Sequence, residues 1–256
     1  MLGGLGISEI RCWVNCTHPI SWPTEGWFSI RVEDRKIPPR AILPHMHITK
    51  LGHCCLLIKE GDLTILTDPG TYSTSQDAIT GIDVILITHE HADHFHVESL
   101  KTVLANNPQA KIFTVKGVAT LLDQEGIAYE LLEHGQSVTV NGVLIEGFGQ
   151  KHADMYPGWP QVDNCGYFIN GRLFYPGDAF TNPGKPVEIL ALPVAGPWMK
   201  LSEAIDYAKE VKPKIAFPVH DGILKHQALV HRLPAKFLSE AGIEFRPLLD
   251  GEVIEV

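Results

Sequence analysis

The stretch VILITHEHADHF, residues 84–95, ends a run of β-branched and apolar residues on His89, His91, Asp93 and His94. Imidazoles together with a carboxylate are the donor set that binds zinc and similar divalent ions. In an extended segment, residues two apart project to the same side, so His89, His91 and Asp93 can converge on one point beyond the strand end. His94 follows where a helix can begin and faces a neighbouring position. A solvated polar loop could also carry histidines. Four metal-binding side chains within six residues, directly after a hydrophobic strand, point instead to a metal site.

Further candidate ligands occur in comparable places. GFGQKHADMYP puts His152 after an apolar run at 143–148, RLFYPGDAF puts Asp178 after one at 172–176, and KIAFPVHDG puts His220 after one at 215–219. Each shows the same order of strand, tight turn and single ligand. Taken singly, each residue would more often be structural. Taken with 89–94, they complete a set of five histidines and two aspartates.

The elements that must position these groups follow from the pattern of the chain. MHITKLGHCCLLIKEGDLTILTDPG reads as short strands divided at Gly52 and at the turn EGD. Strands are expected at 83–88, 111–115, 137–140, 143–148, 164–169 and 172–176, and helices near 97–106, 117–125, 201–211 and 227–241. Asn141-Gly142 and Asn170-Gly171 stand between apolar runs, a strong short-range hairpin signal. Meandering strands interrupted by helices, with a coarse two-fold echo, predict an α/β (α+β) chain with two packed sheets and helices outside. Residues 1–45 are different: they carry five prolines and no sustained period, and Cys12 and Cys16 have no second ligand pair at finger spacing. They are read as an N-terminal extension of uncertain order, with Met46 a candidate functional start and residues 46–256 the functional domain.

Composition sets the outer limits. Of 256 residues, 45% are hydrophobic and 20% charged, as in an ordinary globular protein. A formal net charge of −9 argues against sequence-independent nucleic-acid binding, while a metal pair could still attract a small anionic substrate. No apolar run approaches the length of about 20 residues that spans a membrane, and no signal peptide is read at the start. Five cysteines without a regular framework suggest reduced thiols and a cytoplasmic location.

The motif Thr88-His89-Glu90-His91-Ala92-Asp93-His94 resembles the T-H-x-H-x-D-H signature of the metallo-β-lactamase superfamily, and the resemblance runs from about Met46 onward. It implies a four-layer αββα sandwich, the metallo-β-lactamase fold. It also implies two divalent metals, zinc foremost with manganese or iron as alternatives. His89, His91 and His152 would hold the first, and Asp93, His94 and His220 the second, with Asp178 bridging. Asp68 in LTDPG is similar to the family's buried support residue. Phe95-His96-Val97 replaces the glycines that follow the cluster in glyoxalase II-like and lactamase-like members. The interval 178–220 is too short for the insert of the RNA-processing members, and His91 stands where flavodiiron proteins have glutamate. GHCCLLIKEGDLTILTDPG and PVHDG are similar to the compact group of metal-dependent hydrolases related to ascorbate-6-phosphate lactonase.

The expected function is hydrolysis of a small ester, lactone, phosphoester or amide, with Asp93 orienting the nucleophile or carrying a proton to the leaving group. His53 and Tyr156 are candidate substrate contacts, a packed structural role being the alternative for each, and Trp159 shares the loop of Tyr156. Cys54-Cys55 is read as part of a strand. Two other classes fit the same ligands: an iron-dependent oxidoreductase or dioxygenase of the same fold, and a catalytically silent metal-binding module. The sequence leaves the oligomeric state open.

Overall fold

The apolar runs after Met46 build one supersecondary unit twice. The structure is a computed structural model that describes residues 45–73 and 75–256; the expectations for Cys12, Cys16 and residues 1–44 lie outside the described residues. The first unit opens with β1 (His47–Gly52), β2 (Cys55–Glu60) and β3 (Leu63–Thr67), which pair antiparallel in succession. It continues through β4 (Val84–Ile87), α1 (Val97–Asn106), β5 (Lys111–Thr114), α2 (Lys116–Glu125) and β6 (Glu130–Leu131), with β3 to β6 mutually parallel. The second unit repeats the plan. β7 (Ser137–Val140), β8 (Val143–Phe148), β9 (Gly166–Ile169) and β10 (Leu173–Tyr175) are antiparallel. β11 (Ile189–Pro193), α3 (Leu201–Val211), β12 (Ile215–Val219), α4 (Ala228–Ser239) and β13 (Glu244–Phe245) then extend the sheet in parallel from β10. β14 (Val253–Glu255) returns to pair with β1. The two-fold echo of the sequence is thus a topological one.

The sheets have the orders β14-β1-β2-β3-β4-β5-β6 and β13-β12-β11-β10-β9-β8-β7. Side chains alternate across a strand, and in the second sheet the alternation separates two apolar clusters. Tyr167, Ile169, Leu173, Tyr175, Ile189 and Ala191 pack with the first sheet. Phe168, Phe174, Leu190 and Leu192 pack with Ala204, Tyr207 and Ala208 of α3 and Leu238 of α4. The first cluster also takes Leu100 and Val103 of α1 and Val118 and Leu122 of α2. The layers are helix, sheet, sheet, helix, the αββα sandwich. Because both faces of the central strands are covered, β4 (VILI) and β12 (IAFPV) are apolar throughout rather than alternating.

Both Asn-Gly pairs make tight hairpin turns. Asn141 and Gly142 have φ of 48° and 81°, and Asn170 and Gly171 have 52° and 63°, the left-handed pair that matches strand twist. The expected strand at 164–169 begins at Gly166, and the expected helix at 227–241 spans Ala228–Ser239. β11, a central strand, was not anticipated, because its short run lies between Pro186 and Pro193 in PVEILALP. Among the described residues no helix is long and apolar enough to cross a membrane.

Candidate metal centre

The carboxyl ends of the parallel strands all open at one edge of the sandwich, the usual position for a site in such sheets. Asp68 follows β3, the 89–94 cluster follows β4, Asp178 follows β10 and His220 follows β12. His152 comes from the chain beyond β8. The local order of strand, turn and ligand therefore becomes a spatial cluster once the sheets form.

Hydrogen bonds place an Nδ1 proton on three of the imidazoles. Asp68, fully buried, accepts the Thr88 main-chain N–H at 2.8 Å, the Thr88 hydroxyl at 2.7 Å and His94 Nδ1 at 2.7 Å, and it also takes the Tyr175 hydroxyl. His94 is thus protonated on Nδ1. The Thr88 hydroxyl spends its proton on Asp68, so it can only accept from His89 Nδ1, 3.0 Å away. His152 Nδ1 donates to the Ala153 carbonyl at 2.6 Å. In its neutral form each of the three keeps its lone pair on Nε2, the tautomer of a metal-binding histidine held from behind.

Those lone pairs converge. His94 Nε2 lies 3.1 Å from Asp178 Oδ1, while His152 Nε2 and His220 Nε2 lie 3.3 and 2.7 Å from Asp178 Oδ2. His94 Nε2, His152 Nε2, His220 Nε2 and Asp178 Oδ1 are nonetheless buried without a hydrogen-bond partner. Unpartnered buried polar atoms are costly and demand an explanation. A group of electron-pair donors facing one another is what a cation would resolve, so the donor set fits metal.

Two quartets emerge, each offering one ligand atom per residue within 4.8 Å of the others: His89, His91, His152 and Asp178, and His53, Asp93, His94 and His220. A third grouping joins Cys54 to His94 and Asp178. Burial pushes His89 well below the usual histidine range, and lowers His91 with help from His152. For Asp178, burial alone would favour the neutral acid, but His94 and His220 outweigh it and hold the carboxyl well below its usual range. Asp93 behaves likewise: the hydrogen bond with His53, and then His94 and His220, overcome burial and bring it to about 2. His89 and His91 as neutral imidazoles and Asp93 and Asp178 as carboxylates are the protonation states that metal binding needs. His94 differs: burial would favour its neutral ring, but the negative groups around it, Asp178 foremost, outweigh burial and hold it well above the usual histidine range, so a cation taking its Nε2 would displace a proton. Burial sends the Cys54 thiol up to about 11, which leaves a poor ligand.

The structure brings all seven residues of the sequence-derived ligand set together and puts Asp68 behind His94. It places His53 inside the cluster, with Nε2 3.2 Å from Asp93 Oδ2. Tyr156 is 73% exposed on the irregular loop after His152. On that loop Met155, Trp159, Gln161 and Val162 line a small depression beside His91 and His152. Sequence reasoning missed Trp198, whose indole N–H donates to Asp178 Oδ2 at 2.8 Å. It also missed Asn164, whose Oδ1 accepts the Asp178 N–H at 3.0 Å. Trp198 follows β11, the strand that was not anticipated, so its place at a strand end was not visible.

Comparison with known proteins agrees with this fold. The sequence profile of the family described as the beta-lactamase superfamily domain matches residues 47–220. Protein Rv0786c of Mycobacterium tuberculosis is 38% identical over 188 residues, covering 72% of this chain and 87% of that protein. The UPF0173 metal-dependent hydrolase MJ1163 of Methanocaldococcus jannaschii is 27% identical over 188 residues, covering 68% of this chain and 83% of that protein. A metallo hydrolase of the hyperthermophilic archaeon Ignicoccus hospitalis shares the fold, with a TM-score of 0.66 at 19% identity over 83% of this chain and 99% of that one.

Proposed function

The chain belongs to the beta-lactamase superfamily, and from that premise we propose that it is a metal-dependent hydrolase with a dinuclear centre acting on a small ester, lactone, phosphoester or amide. His89, His91 and His152 hold one metal, Asp93, His94 and His220 the other, and Asp178 lies between them. The observation that carries this reading is the convergence of buried, unpartnered Nε2 and Oδ atoms, with the Nδ1 protons of His89, His94 and His152 tied down behind them. An imidazole and carboxylate donor set points to zinc. The hydrolase domain starts at Met46, which is buried and whose main chain pairs with Val256.

When bound, divalent cations would lower the pKa of water towards about 7 and polarise a substrate oxygen. The protein supplies the remainder. Asp178, with 2% of its side chain exposed, is too enclosed to meet a leaving group, and it is held in place by Trp198 and Asn164. Asp93, 23% exposed, is the carboxylate that can carry a proton to the leaving group. Trp159 lies beside His91 and His152, and Tyr156 is exposed earlier on the same loop, which makes the two the aromatic side chains that would contact the substrate.

The test is elemental analysis of protein saturated with zinc or manganese and freed of excess metal. Two equivalents per chain are expected, and Asp178→Ala should lower occupancy at both positions. A content that stays near one refutes the dinuclear reading. Chelated protein should regain hydrolysis of lactones, phosphodiesters, thioesters or amides on anaerobic addition of zinc or manganese. Recovery that demands ferrous iron and oxygen would replace the hydrolase with an iron oxidoreductase.

A further inference from the structure

His53 lies in the turn between β1 and β2, 1% exposed, with a φ of 44° that side-chain-bearing residues seldom adopt. Strain of this kind persists where surrounding contacts over-determine the conformation, and His53 makes three. Its carbonyl accepts the His220 N–H at 3.2 Å, its Nδ1 accepts the Gly222 N–H at 3.2 Å, and its Nε2 faces Asp93 Oδ2 at 3.2 Å. Its ring centroid is 4.2 Å from that of His220. The turn carrying His220 passes so close that a Cβ at position 222 would stand 2.8 Å from His53 Cβ, which is why the residue there is glycine.

We propose that His53 is a positioning residue of the second ligand group: it donates its Nε2 proton to Asp93 and braces the turn that presents His220. The chemistry of the imidazole separates this role from direct ligation. A ring nitrogen that accepts a hydrogen bond bears no proton, and a neutral imidazole has one proton in all. The Gly222 N–H pointing at Nδ1 therefore puts the proton of His53 on Nε2, the reverse of His89, His94 and His152. Nε2 has no lone pair to offer a cation, although His53 is one of the four residues of the second quartet. One side chain thus ties Asp93, from the first sheet, to His220, from the second, and sets the 3.6 Å between Asp93 Oδ2 and His220 Nε2.

This role rests on the dinuclear reading above, and the experiment separates the two. Zinc is titrated into the metal-free full-length protein and its His53→Phe and His53→Gln variants, with the affinity of each equivalent measured by calorimetry. Wild-type protein that binds a single equivalent defeats the dinuclear reading itself. With two equivalents in the wild type, His53→Phe should weaken the second by about 10- to 100-fold, the usual effect of losing a residue that supports a ligand, and leave the first unchanged. Gln retains an N–H that reaches Asp93, so His53→Gln should recover most of that loss. Gln as weak as Phe, or Phe equal to wild type, overturns the proposal. Should either variant fail to fold, long-range proton–nitrogen NMR of the zinc-loaded wild type decides. His53 protonated on Nε2 is the expected result, whereas Nδ1 protonation overturns the assignment.

Discussion

Lys50→Met should be among the most destabilising single changes in this fold. Lys50 and Asp221 both have fully buried side chains, and Lys50 Nζ lies 2.5 Å from Asp221 Oδ1 and 3.2 Å from the Leu248 carbonyl. Asp221 Oδ2 meets His231 Nε2 at 2.7 Å. Methionine fills most of the space of the lysine stem, so the loss is electrostatic and not a cavity. Removing one partner of a buried ion pair costs about 3–5 kcal/mol, because it strands the other charge. For a domain of this size that corresponds to a Tm lowered by about 6–20 °C. Urea unfolding of metal-free protein at neutral pH measures it directly. Lys50→Met combined with Asp221→Asn should be less destabilised than Lys50→Met alone, because no carboxylate is then left unpaired. The pH dependence has a definite sign. Burial alone would raise Asp221, but His231 and Lys50 outweigh it and hold the carboxyl below its usual range. A depressed folded pKa gives stability that is present above about pH 4, the unfolded value, and is lost as pH falls through the folded value. The gap between wild type and variant should therefore narrow below about pH 4. A gap under about 1 kcal/mol at neutral pH, or one that widens in acid, would refute the argument.

Two further outcomes are expected. Trp198→Phe keeps the ring but removes the N–H accepted by Asp178; a hydrogen bond to a charged group contributes about 1.5–3 kcal/mol, so zinc affinity at both positions should fall at least tenfold by calorimetry, and an effect confined to one position counts against Asp178 as the shared carboxylate. Burial holds Cys54 at about 11 and Cys165 at about 12 and raises Cys55 further, so iodoacetamide at neutral pH should leave all three unmodified in the folded protein and label them in urea; rapid labelling of Cys54 with loss of activity and retention of metal would point to a thiol nucleophile instead.

What could be read from the sequence divides along a physical line. His89, His91, Asp93 and His94 were legible because the strand VILI and its ligands are contiguous. His152, Asp178 and His220 were legible because each repeats that local order. The sandwich was legible because its central strands are covered on both faces and its helices are amphipathic. The supports behave differently. Lys50 looks like an outward polar position in a strand, and only Asp221, 171 residues away, draws its ammonium inside. The tautomer of His53 depends on a main-chain N–H 169 residues away, so its sequence neighbours could suggest a substrate contact or a packed histidine but not a donor to Asp93. Trp198 depended on recognising β11, whose run is bounded by prolines. A ligand has to stand at the end of its own strand, and that constraint is written in adjacent residues. A support only has to arrive from whichever strand the sheet order sets beside it. The two sheets meet at this site, so some of its supports are cross-sheet contacts: His53 reaches from the first sheet to the turn of His220, and Lys50 does the same for Asp221, whereas Asp68 behind His94 and Trp198 beside Asp178 come from neighbouring strands of one sheet. Both ligand groups draw on both sheets, His89 and His91 with His152 in one and Asp93 and His94 with His220 in the other, so variants that loosen the docking of the two halves should weaken both metal positions.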